Sequence, residues 1–182
     1  KKMSELRLVV DHLRLNYKGP FNANDLIKNI YAFLKERGFD MHNLKDFENN
    51  TKTGKQMEWQ VRPWKKISDY GRLWPNIRVL VKDYNKVDAM VDNKKIKIGS
   101  GSVEIYIDGY LELDEQQRWE VIPFFQFLRS LYNTFFYKVY TERFEQRLSY
   151  DMNHLYHTLE QFFNMYKHYK VVSKVPPFIS AH

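Results

Sequence analysis

Between Lys52 and Trp74 six cations, Lys52, Lys55, Arg62, Lys65, Lys66 and Arg72, interleave with the rings of Trp59, Trp64, Tyr70 and Trp74. Cations answer phosphates, and flat rings stack on unpaired bases. That combination is the chemistry of sequence-tolerant RNA or single-strand binding. A formal net charge of +7 over the chain agrees with a polyanionic partner. An anionic membrane surface would meet the same patch. The candidate polyanion-binding residues are Lys52, Lys55, Arg62, Trp64, Lys65, Lys66 and Arg72. Against the site, Trp59 alternates as a core residue and Glu58 and Asp69 interrupt the charge. No RNP, KH or zinc-knuckle pattern accompanies it. Ordinary surface plus core is therefore the leading reading of the segment, and the polyanion site the second.

Two other groupings invite a chemical reading. Asp151, His154, His157 and Glu160 recur at a spacing that brings helical neighbours within reach of each other, as a metal site needs. The same spacing drifts around the helix, and it matches no zincin pattern, so a solvated polar face is expected and no metal. Glu104, Asp108 and Glu112 share one face of a strand, as a carboxylate pair would need to. General acid–base work requires perturbed environments, which an open sheet face rarely supplies. A glycine-rich phosphate loop, an ordered Ser/His/Asp set and a His-Glu helix motif are all missing from the sequence. No cofactor is expected, and a non-enzymatic role is favoured.

The composition of the 182 residues supports one domain with a sizeable core, at 43% hydrophobic and 28% charged. With no cysteine, disulfides, thiolate nucleophiles and thiolate metal sites are excluded together, which fits a reducing cytoplasm. No signal-peptide pattern opens the chain, although it starts at Lys1 and upstream residues are open. The most apolar window, from Val121 to Tyr140, contains Gln126, Arg129, Asn133 and Lys138. A membrane span tolerates few such residues, so none is expected.

The elements follow from periodicity. Glu5 to Tyr17 alternates, with Leu6, Leu8 and Val10 on one face before a change of phase to Leu13, Leu15 and Tyr17. A bulge near Asp11–His12 keeps both sets inward. Asn22 or Asn24 caps a helix that buries Leu26, Ile27, Ile30, Tyr31, Phe33 and Leu34 and ends at Gly38. Strands are expected over Leu44–Thr51 and Met57–Trp64. Next comes a three-strand meander, with turns at Asn93-Lys94 and Ser100-Gly101. These turns pair Val91 with Ile96, Ala89 with Ile98, Ile98 with Val103, Ile96 with Ile105 and Lys97 with Glu104. The last strand puts Val103, Ile105, Ile107, Leu111 and Leu113 on one side, and Glu104, Tyr106, Asp108, Tyr110 and Glu112 on the other.

From Pro123 to Pro176 there is no other proline and no glycine, and aromatic residues recur at helical spacing. Residues 123–170 are expected to form a long helical segment, about 70 Å if straight. A domain of this size is only about 40 Å across. The helix therefore bends near Ser149–Asp151 or projects to meet a partner, a second copy of the chain among them. Phe124, Phe127, Leu128, Leu131 and Phe135 form its first stripe. Phe144, Leu148, Met152, Leu155, Leu159, Phe162, Phe163 and Tyr166 form the second.

The fold class expected is α+β: a curved antiparallel sheet gripped by a long C-terminal helix, with one helix after the first strand. This order resembles the helix-grip proteins of the START-like superfamily over nearly the whole chain. The stretch from Gly101 to Tyr137, GSVEIYIDGYLELD followed by RWEVIPFFQFLRSLYNTFFY, also looks like archaeal proteins of this general shape. Members usually place a glycine-rich loop and two short helices after the first strand, where this chain has room for one helix. The resemblance implies a cavity between sheet and helix that encloses an apolar or amphipathic small molecule, a lipid for example. Its walls would include Phe124, Phe127, Leu128, Leu131 and Phe135. The alternative is a basic module docking on RNA or a ribosomal particle.

Overall fold

Strand β1 (Ser4–Pro20) carries the irregularity that its change of phase predicts. Its pairing shifts between Leu8 and Val10 and again between Val10 and Leu13. His12 sits there with φ of 49°, a left-handed conformation uncommon outside glycine. Val10 and Leu15 are buried, with Leu13 and Tyr17 packed on the core. Leu6 and Leu8, expected inward, are instead 61% and 48% exposed. The double shift turns the first half of the strand away from the core that its second half joins.

The computed structural model describes residues 4–68, 71–91, 94–114 and 138–173. After β1 come helix α1 (Ala23–Glu36), strands β2 (Asn43–Thr51), β3 (Gly54–Val61), β4 (Lys65–Ser68), β5 (Gly71–Val91) and β6 (Lys94–Asp114), helix α2 (Lys138–Tyr166) and strand β7 (Lys170–Ser173). The fold is α+β. The seven strands make one antiparallel sheet in the order β1-β6-β5-β3-β2, with β4 and β7 also paired to β5.

Helix α1 starts where the sequence says it should. The Asn22 side chain accepts the backbone N–H of Asn24 at 3.1 Å, Leu26, Ile30, Phe33 and Leu34 are buried, and Gly38 just past the end has φ of 73°. On β3, Trp59 and Val61 are buried, as their alternation predicts.

The meander is a correction. Strands β5 and β6 are two long strands paired along their length, and no hairpin occurs at Ser100-Gly101. Ile98, Ile96 and Lys97 face Val87, Ala89 and Asp88, while Val103 and Ile105 face Val81 and Val79. Val91 pairs with Lys94 rather than Ile96, and Asn93 lies outside the described residues. The glycines here serve close approach and not a turn. A Cβ on Gly99 would come within 2.0 Å of the Tyr84 ring, and one on Gly101 within 2.9 Å of the Lys82 carbonyl oxygen. Tyr84 crosses there because β5 is irregular between Lys82 and Asn85, with Asp83 at φ of 53°. Val103, Ile105, Ile107, Leu111 and Leu113 are buried as expected. Beyond the irregularity, however, Ile96 is 37% exposed and neither it nor Ile98 joins the main core.

Helix α2 lies against β1 and β6 and touches α1. Leu148, Met152, Leu155 and Leu159 are fully buried and Phe162 and Phe163 nearly so, which is the second expected stripe. Gly109 lets the helix approach, since a Cβ there would lie 3.2 Å from Leu148 Cδ2 and 3.1 Å from Val10 Cβ. Phe163 stacks on Tyr17 at 4.5 Å and meets Phe21 edge-on at 5.8 Å, fastening the helix's last turns to β1 and the α1 cap. The helix runs through Ser149–Asp151 without interruption and ends at Tyr166, not Lys170. A turn closed by Tyr169 N–H donating to the Tyr166 carbonyl (3.0 Å) leads into β7, where the β-branched pair Val171-Val172 favours extended chain. The earlier part of the expected helix, from 123 to 137, lies outside the described residues.

Candidate functional site

The seven candidate polyanion residues separate into three places. Lys52 is exposed in the turn between β2 and β3, and Lys55 pairs with Glu48 at the start of β3. Lys55 stands opposite Tyr84 of β5, whereas Lys66 stands opposite Arg72 of the same strand. From Tyr84 to Arg72 along β5 is roughly 40 Å at about 3.3 Å per residue. These cations cannot contact one short run of phosphates together, which corrects the single patch expected from sequence.

The second place holds Trp64, Lys66 and Arg72, joined by Trp74, with Arg62 two residues before Trp64 in the connection from β3. Trp64 is fixed by a backbone bridge: its N–H donates to the Asp40 carbonyl at 2.9 Å and its carbonyl accepts from Asp40 N–H at 2.8 Å. The Trp64 and Trp74 rings are 6.1 Å apart and tilted by 31°. The Arg72 guanidinium lies 5.8 Å from the Trp64 ring centre, within cation–π range. Trp74 Nε1 donates to Glu112 at 2.6 Å, which pins the ring's edge and leaves its face to the neighbours. Arg62, Lys66 and Arg72 are exposed and the two tryptophans half-buried. Pro75, next along β5, falls between the ends of β4 and β3, where neither pairs with β5 and an N–H would lack a ladder partner.

The third place is Lys65, turned to the other face. It stands opposite the buried Leu73, and its Nζ donates to the Arg37 carbonyl at the end of α1 at 2.5 Å. It also lies 5.5 Å from the Phe39 ring. Burial pushes the Lys65 amine below its ordinary pKa, and the Arg147 charge adds to this; Asp151 opposes the shift and Arg37 reinforces it. Asp151 is buried, not solvated as the late-helix spacing suggested: its Oδ1 accepts from Arg37 Nη1 at 2.8 Å and it is 3% exposed. His154 meets the same guanidinium, and His157 pairs with Glu160 at 3.0 Å. Among the described residues no metal-ligand grouping includes these four.

On the sheet, Glu104 is bound by Tyr106 (2.9 Å), Lys82 (3.1 Å) and Arg14 (3.5 Å). The Tyr106 hydroxyl first and Lys82 second hold its carboxyl below the ordinary value. Asp108 is buried, unlike a solvated sheet residue. It accepts from His12 N–H at 3.2 Å and lies 2.8 Å from His12 Nδ1, with Asn76 at 3.4 Å. With Glu112 held by Trp74, each of the three carboxylates has its own partners. Successive ones are about 13 Å apart along the strand, too far to work as an acid–base pair. Asp11 completes a small Asp–His–Asp cluster around His12, with ligand-type atoms all within 4.8 Å. The phase change at Asp11–His12 was the sequence signal for its position, but the partner Asp108, on another strand, had none.

Phe124, Phe127, Leu128, Leu131 and Phe135, the expected cavity wall, lie outside the described residues. No described helix is long and apolar enough to cross a membrane. No protein-family model, curated protein or solved structure matches this chain.

Proposed function

We propose that this is a non-enzymatic binding protein of helix-grip form, enclosing an apolar or amphipathic small molecule between the sheet and the residues that lead into α2. One observation carries the reading: a long helix lies along the sheet against β1 and β6, with its Leu148, Met152, Leu155 and Leu159 fully buried and Thr141 4% exposed. The apolar stripe from Phe124 to Phe135 precedes α2 in sequence and supplies the aromatic side chains that would line the ligand. The separately partnered carboxylates support a binding role over catalysis. Organic extraction of the natively purified protein followed by mass spectrometry tests it. A single apolar or amphipathic species in near-stoichiometric amount is expected, displaced by Leu131→Trp. An extract identical to that of a control protein from the same host would overturn the reading.

A second reading, docking on RNA with unpaired bases, is favoured by the Trp64–Arg72–Trp74 arrangement. It sets two half-buried rings beside the exposed cations Lys66 and Arg72. Base stacking and phosphate contact need that juxtaposition.

A further inference from the structure

We propose that the corner where α1 ends, β4 begins and α2 passes is a site for a phosphate-type anion, formed by Arg37, Lys65 and Arg147 with His154 beside them. Arg37 and Lys65, joined through the Arg37 carbonyl, meet here with Arg147, one helical turn before Asp151 on α2, and with one carboxylate, Asp151, whose side chain is only 4% exposed. A structural role accounts for part of the group. Arg37 neutralises Asp151, and Lys65 satisfies the carbonyl of Arg37, the residue that caps α1. It leaves Arg147 with neither a hydrogen bond nor an ion pair among the described residues. It also leaves Lys65 with no ion-pair partner among the described residues, in a partly buried position where the Arg147 charge, and after it that of Arg37, opposes its own and Asp151 offsets part of this.

An anion would relieve that repulsion. A guanidinium offers a phosphate two parallel N–H donors and an ammonium offers a point charge, so the three side chains are suited to one phosphoryl group. The Phe33 and Tyr150 rings, 5.3 and 5.8 Å from the Arg37 guanidinium, hold it in place from the sides. Lys65 shares its sheet face with Leu73 and Leu111, both buried. The charged corner thus adjoins the apolar face of the sheet. A phosphate here could be free or be the head group of an amphipathic ligand, and the site itself does not depend on the enclosed-ligand reading.

Calorimetric titration of the full chain at low ionic strength tests the proposal, with inorganic phosphate in one arm and dihexanoyl phosphatidic acid in the other. Saturable one-to-one binding is expected. Arg147→Gln and Lys65→Met should each weaken it about tenfold, the scale of one lost charge-assisted contact. Lys86→Gln, at an exposed position elsewhere on β5, should leave it unchanged. Arg147 is exposed, so Arg147→Gln should keep its fold even if Lys65→Met does not; a circular-dichroism melt of each variant checks this. Tighter binding of the lipid than of phosphate, with both weakened in Arg147→Gln, assigns the site to a head group. Equal binding assigns it to free phosphate. Absent phosphate binding, or phosphate or lipid binding indifferent to Arg147→Gln, would overturn the site. A co-purifying apolar molecule would then still stand as evidence for the enclosed-ligand reading.

Discussion

Tyr84 and Gly99 show how one side chain ties three elements together. The Tyr84 hydroxyl donates to the Phe21 carbonyl and accepts from Ala23 N–H, each at 3.2 Å, while Phe21 N–H donates to the Gly99 carbonyl at 2.8 Å. The ring reaches the start of α1 only by passing over Gly99, where a Cβ would overlap it at 2.0 Å. Gly99→Ala should therefore destabilise the fold by about 1–3 kcal/mol, the usual range for overpacking. The same change should cost almost nothing in a Tyr84→Ala background. Urea denaturation of the four members of this cycle measures the coupling; additive effects would mean that Tyr84 is not the obstacle. At Asp151 the opposite kind of change is informative. Arg37→Met leaves a buried carboxylate without its guanidinium, and a loss of about 3–5 kcal/mol is expected in the same assay. The late-helix spacing could not reveal this, because Arg37 comes from another helix and only tertiary packing brings it to Asp151.

Strands β2, β3 and β5 are joined across their outer surface by Glu58, which pairs with Lys45 on β2 and lies 2.8 Å from Arg78 on β5. The bond from Lys45 first, then that from Arg78 against some burial, holds the Glu58 carboxyl below its ordinary value of 4.5. A carboxyl depressed in the folded state adds stability above its unfolded pKa and loses it as pH falls through the folded value. Glu58→Gln should therefore lower stability at neutral pH and flatten the acid side of the stability profile below about pH 4.5. Thermal melts between neutral and acid pH check this, and an unchanged slope would remove Glu58 from the acid response. Most elements were legible because their signals were local: the phase change of β1, the Asn22 cap, and the alternation of Val103 to Leu113. The β5–β6 ladder was not. Glycine beside serine is the chemistry of a tight turn and equally of a strand crossed by a neighbour's ring, and only the irregularity at Lys82–Asn85 selects the second. The short strands β4 and β7 hold too few residues for alternation to show.

Over the whole molecule, the net charge of +7 was readable from composition but its distribution was not, because strand length sets it. Positions close in sequence, Lys55 and Lys66, fall roughly 40 Å apart along β5 through their partners Tyr84 and Arg72. For the RNA reading, the separation sharpens what electrostatics should show. The log of the binding constant falls with the log of salt by about 0.7 for each single-strand phosphate contact. Lys66→Ala and Arg72→Ala should each reduce that slope by about 0.7 on an unstructured RNA, whereas Lys52→Ala and Lys55→Ala should leave it unchanged. Trp64→Ala should weaken binding by about 1–3 kcal/mol with little change of slope if the ring stacks on a base. Loss of Trp64 also removes the cation–π partner of Arg72, so a melt of the variant must accompany the titration. Fluorescence anisotropy at several salt concentrations supplies the slopes. Equal reductions for Lys52 and Arg72 would mean that the RNA spans the sheet from end to end. Salt-insensitive or absent binding by a folded Trp64→Ala and a folded parent alike would retire the RNA reading and leave the enclosed ligand.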